Sequence, residues 1–148
     1  MRRKLASAVI GVGLLCGLGC SGISESLMSL SGTEVAMGDN AEHPDDFPLP
    51  PPPLGEIMTS LSTGLGGAKT TTVIYELDAE ASLEVILPPY EEILKAHAKD
   101  GQVTRMEDNK NTTLVAVSED EDVLTVSASK ESGKTIFTLA SVVRKSSP

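Results

Sequence analysis

Two hydrophobic rhythms divide the chain. Over residues 56–63 successive positions alternate, with Ile57, Thr59 and Leu61 set against Met58, Ser60 and Ser62, until Gly64-Leu65-Gly66-Gly67 breaks the pattern. The β-branched run Thr70-Thr71-Thr72-Val73-Ile74-Tyr75 follows, and predicts a strand over Thr70–Leu77. Two such runs around a glycine-rich break predict a hairpin. The period then changes. Leu83, Ile86, Leu87, Tyr90 and Leu94 recur at three- and four-residue spacing, the apolar stripe of a helix. Asp78 stands where a side chain can cap the helix start, and Glu80 suits the first turn. Glu91 and Lys95 lie one turn apart, while Lys95, Lys99 and Gly101 suit the end. Pro88-Pro89 falls in the middle. Missing amide donors and the restriction on Leu87 predict a kink or break there, with Pro88 restarting the helix.

Beyond Gly101 alternation returns in four short runs, Gln102–Glu107, Thr112–Ser118, Asp122–Ser129 and Lys134–Val143, separated by polar turns. These predict an antiparallel meander. The fold class is therefore α+β: one kinked helix packed on an antiparallel sheet, in the order β-β-α-β-β-β-β, within a small domain over residues 54–144. Residues 145–148 are a tail. Upstream, residues 20–47 are rich in Ser, Gly, Met and acids without a sustained period, and read as a flexible tether. Pro48-Leu49-Pro50-Pro51-Pro52-Pro53 then forms a stiff brace over residues 48–53. Its PxxP spacings match ligands of aromatic grooves, but the flank carries Asp45 and Asp46 in place of basic residues.

The first residues are organised differently again. Arg2, Arg3 and Lys4 precede an uncharged run of 14 residues from Leu5 to Leu18, with small residues after it, the layout of a signal peptide over residues 1–19. A helix of that length covers about 21 Å, short of a hydrocarbon core of roughly 30 Å. Gly19-Cys20, following Leu14-Leu15 and Leu18, resembles the lipobox of bacterial lipoproteins, with Gly17 three positions before the Cys. The resemblance implies cleavage before Cys20, a diacylglyceryl group on its thiol, and membrane attachment in the cell envelope. Ser21 after the Cys is compatible, on the same resemblance, with sorting to the outer membrane. The alternatives are ordinary cleavage at Gly17-Leu18-Gly19, giving a secreted or periplasmic protein, and an uncleaved anchor, since the uncharged residues from Leu5 up to Ser24 number 20, enough to span. Both cysteines, Cys16 and Cys20, lie within this region, so the residues beyond 20 form no disulfide among themselves.

Charge and composition narrow the function. The chain has 12 basic and 21 acidic side chains, a formal charge of −9, and only two Tyr, two Phe and no Trp. Nucleic acid is excluded as a partner by the lack of a basic footprint and of stacking platforms. Ser62–Thr70 (STGLGGAKT) resembles a phosphate loop only superficially. Thr63 and Ala68 occupy the two glycine positions of a Walker A, Lys69 occupies the third glycine of a GxGxxG, and a strand rather than a helix follows. Glu119-Asp120-Glu121-Asp122 concentrates carboxylates without the glycine and spaced ligands of a Ca²⁺ loop, and reads as a solvated turn. His43 lies in the tether. His97 continues the helix stripe as a half-buried boundary residue. No nucleophile, base and acid are brought together by spacing, and no metal or cofactor set is discernible.

These readings converge on a lipid-anchored envelope protein, with Cys20 as the lipid-attachment residue. Its domain is a non-catalytic binding or structural module, contacting the membrane through the anchor and an envelope protein through the domain. The alternatives are a small periplasmic hydrolase or inhibitor, and an acidic ligand or Ca²⁺ binder using residues 119–122.

Overall fold

The computed structural model describes residues 32–144. Its elements are β1 (Thr33–Met37), β2 (Gly55–Leu65), β3 (Ala68–Leu77), α1 (Leu83–His97), β4 (Val103–Glu107), β5 (Asn111–Val117), β6 (Val123–Glu131) and β7 (Lys134–Arg144). The strands form one sheet of seven in the order β1-β2-β3-β7-β6-β5-β4, every neighbouring pair antiparallel. The α+β class holds, with one helix on an antiparallel sheet. The element order does not. Thr33–Met37 is an added edge strand inside the expected tether, so three strands precede the helix and four follow. A five-residue edge strand bonded on one side has little period to display.

Local chemistry explains the turns. Gly66 and Gly67 take φ of 61° and 83°, and Ser132 and Gly133 take 50° and 81°, the left-handed pairs that let a two-residue turn match strand twist. Between β4 and β5 the Asp108 carboxylate accepts the Lys110 and Asn111 amides, each at 2.8 Å, which holds its carboxyl below the ordinary value.

The helix carries two corrections. It begins after Ser82, whose extended backbone makes it the N-cap, although its side chain makes no capping bond. Asp78 is instead held in the connection: its amide donates to the Leu54 carbonyl at 2.8 Å and its carbonyl accepts the Ala81 amide at 2.9 Å. The expected break near Leu87 is absent, and α1 continues through Pro88 and Pro89. Both prolines are exposed, as are Glu84 and Val85, whose carbonyls lose the helix bonds that the prolines cannot donate. Water can satisfy those carbonyls, so the defect stays outside the core.

Burial alternates along the strands. Val73, Tyr75, Leu77, Leu114, Leu124, Val126, Phe137 and Leu139 face a core closed by Ile86, Leu87, Tyr90 and Leu94 of the helix. The helix packs against β4, β5 and β6. Toward β3 the cover is the stretch that the sequence assigns to tether and brace. Leu49 belongs to the core with no exposed surface, Phe47 packs against it, and the Tyr90 hydroxyl donates to the Pro50 carbonyl at 2.8 Å. Residues 33–53 are thus part of the domain, which begins well before residue 54. The proline rings stiffen a strap that inserts Leu49 fully into the core.

Candidate functional site

The side of the sheet away from α1 and the strap is built from the alternate residues of every strand. Strand register aligns Val35, Leu61, Thr72, Ala140, Thr125, Val115 and Thr104 in one row across all seven strands. Beside it run Met37, Thr59, Ile74, Thr138, Ser127, Thr113 and Met106. On its other flank a shorter row runs from Thr33 and Thr63 through Thr70 to Val142, Val123 and Val117. None of these positions is charged, in a chain of formal charge −9. Charges begin at the margins: Glu76 pairs with Lys134 at 2.9 Å at one end, and Arg144 pairs with Glu121 at the other. Within these three rows Met37, Met106 and Val117 are the most exposed large apolar side chains, at 65%, 54% and 46%.

On the covered side the strap leaves a polar cleft of about 380 Å³ above β1–β3. Ser60, Ser62 and Thr71 line it from the sheet, and Glu42, His43 and Asp46 from the strap. The Ser62 and Thr71 hydroxyl oxygens lie 3.5 Å apart, and Lys69 reaches Asp46 at 3.2 Å. His43 Nδ1 shares a hydrogen bond with the Tyr75 hydroxyl, and its ring stands edge-on to Phe47 at 5.5 Å. Burial pushes the His43 pKa down, against opposing contributions from the Leu49 backbone and Asp45. The same cause pushes the Tyr75 hydroxyl up to about 12. A neutral imidazole tied to an un-ionised phenol pins the strap to β3. That tie joins residues 32 positions apart, and no local pattern around His43 announces it.

The remaining sequence candidates separate. Cys20 lies outside the described residues. His97 ends α1 half-buried, with its Nε2 buried and unpaired. The Gly64–Gly67 segment is the end of the β2–β3 hairpin, and residues 119–122 form the β5–β6 turn. In that turn the Asp122 carboxylate accepts the Arg144 amide at 2.8 Å, and Glu121 pairs with the Arg144 guanidinium. Among the described residues, no cluster of three or more His, Cys, Asp or Glu side chains is arranged to hold a metal ion. No helix among them is long and apolar enough to cross a membrane. No family model, curated protein or solved structure matches the chain.

Proposed function

We propose that this chain is a lipid-anchored protein of the bacterial cell envelope, acting as a non-catalytic binding module. A diacylglyceryl group on Cys20 would hold it to the membrane, and the open sheet face would engage an envelope protein. The observation that carries the reading is the uncharged open face on an acidic domain. Interaction surfaces are depleted in charge at the centre and polar at the rim, and this face follows that plan between its Glu76–Lys134 and Glu121–Arg144 margins. Because β1 already begins at Thr33, the chain between Cys20 and the sheet reaches at most about 45 Å when fully extended. The module would therefore meet partners close to the membrane surface.

Mass spectrometry of the native full chain tests the anchor. The expected species begins at Cys20 and carries the lipid; a free thiol there, or residues 1–19 still attached, overturns it. A photo-crosslinker at Thr125 tests the face in detergent-solubilised envelope. It is expected to give a discrete crosslinked species that is lost in Ala140→Glu. Recovery of uncrosslinked bait alone counts against the open face as the binding surface.

A further inference from the structure

We infer that the occupant of the open face is a second copy of this chain, with the two sheets stacked face to face. The inference rests on the reading of that face as an interaction surface, and adds the identity of the partner. Area is the first argument. Seven strands at about 4.8 Å spacing and three rows of side chains cover a rectangle of roughly 30 by 20 Å. Two such faces would bury about 1,200 Å² together, at the lower bound of the standard interface size.

Charge is the second argument, and it favours a copy over an unrelated protein. An acidic protomer recognising a different partner gains on-rate and specificity by opposing its carboxylates to basic groups. The open face has no carboxylate in its three rows to oppose. In a two-fold dimer each surface meets itself, so like charges near the axis would repel, and an uncharged centre is the condition for pairing. The rows meet that condition at every position.

Side-chain chemistry agrees. Thr and Val dominate the face, and β-branched side chains have little rotamer freedom to lose on packing. The Thr113 and Ser127 hydroxyls lie 3.2 Å apart across β5 and β6, so each can keep a partner when water is expelled. Two sheets stacked this way form a closed pair with no further open face. Ala140 lies in the central row of β7, the middle strand of the seven, and so close to the expected two-fold axis.

Sedimentation equilibrium of the full chain in density-matched detergent is the test. At about 100 μM, well above a micromolar Kd, the wild type is expected to be dimeric. Ala140→Glu and Ala140→Lys should each weaken the dimer at least about 100-fold through like-charge opposition, and an equimolar mixture should recover most of the association. Circular dichroism and a cooperative melt check that each variant folds. Should the Ala140 variants fail that check, Thr125→Glu and Thr125→Lys replace them. A monomeric wild type overturns the inference, as does a dimer that Ala140→Glu leaves intact. If the wild type is monomeric while the Thr125 crosslink still captures a different protein, the second copy is refuted and the open face remains a binding surface. If there is neither dimer nor crosslink, both readings fall.

Discussion

The two faces of the sheet are made by alternate residues of the same strands, and they differ in both size and polarity. Along β7, Phe137 and Leu139 enter the core while Thr138 and Ala140 stand on the open side. Along β3, Val73, Tyr75 and Leu77 are buried while Thr72, Ile74 and Glu76 are not. The covered side needs volume, because a helix and a strap must be held off a flat surface without voids. The open side carries small and β-branched residues that suit a pleated surface without filling space above it. Even the covered side turns polar where its cover thins, and Ser60, Ser62 and Thr71 line the cleft there. The buried face is therefore distinguished from the open one by bulk and by the near absence of hydroxyls, whereas charge marks only the margins.

Truncating neighbours on one strand separates the two faces most strongly. Phe137→Ala empties a site with no exposed surface and is expected to cost about 3–5 kcal/mol in urea unfolding. Thr138→Ala, one position along, should cost well under half of that. Similar losses at both positions would mean that the open face is packed within the protomer. Leu49→Ala asks the same question of the strap and should cost about 2–4 kcal/mol. A loss below about 1 kcal/mol would return residues 48–53 to the role of an external brace.

The contrast also explains what the sequence could disclose. Strands β2 to β7 were legible because alternation and left-handed turn residues are local signals, and the helix because its stripe recurs over three turns. β1 and the strap were not, since their partners lie far along the chain. Thr33–Met37 pairs with residues 59–63, and Leu49 is a single apolar residue among prolines. The break expected at Pro88-Pro89 had its answer in the stripe itself. A helix that buries Ile86, Leu87, Tyr90 and Leu94 turns residues 88 and 89 to water, where lost hydrogen bonds are cheap. Among site features, the uncharged rows became visible only with the register between strands.

Smaller effects sharpen the picture of the strap. Tyr90→Phe removes the donor to the Pro50 carbonyl while keeping the ring, and should cost about 1 kcal/mol. His43 adds a dependence on pH. Burial lowers its folded pKa below the ordinary 6.5, so the unfolded chain binds more protons as the pH falls through that value. Its contribution to stability is present above the unfolded pKa and is lost on acidification. Melting temperature is expected to fall between about pH 7 and pH 5, and His43→Gln should flatten that slope. Equal slopes would show that the imidazole does not sense the strap.

The smallest effect is expected on the open face, and its smallness is informative. Thr113→Val deletes the hydroxyl paired with Ser127 and substitutes a side chain of the same shape. In a solvated protomer both hydroxyls exchange readily with water, and Val fits a strand at least as well as Thr, so unfolding stability should move by less than about 0.5 kcal/mol. The variant must be measured at a dilution where any dimer has dissociated, because linkage would otherwise add the association energy to the unfolding energy. A loss above about 1 kcal/mol under those conditions would mean that the hydroxyl pair is structural within one chain. The open face would then owe its side chains to its own stability, and its lack of charge would no longer need a partner to explain it.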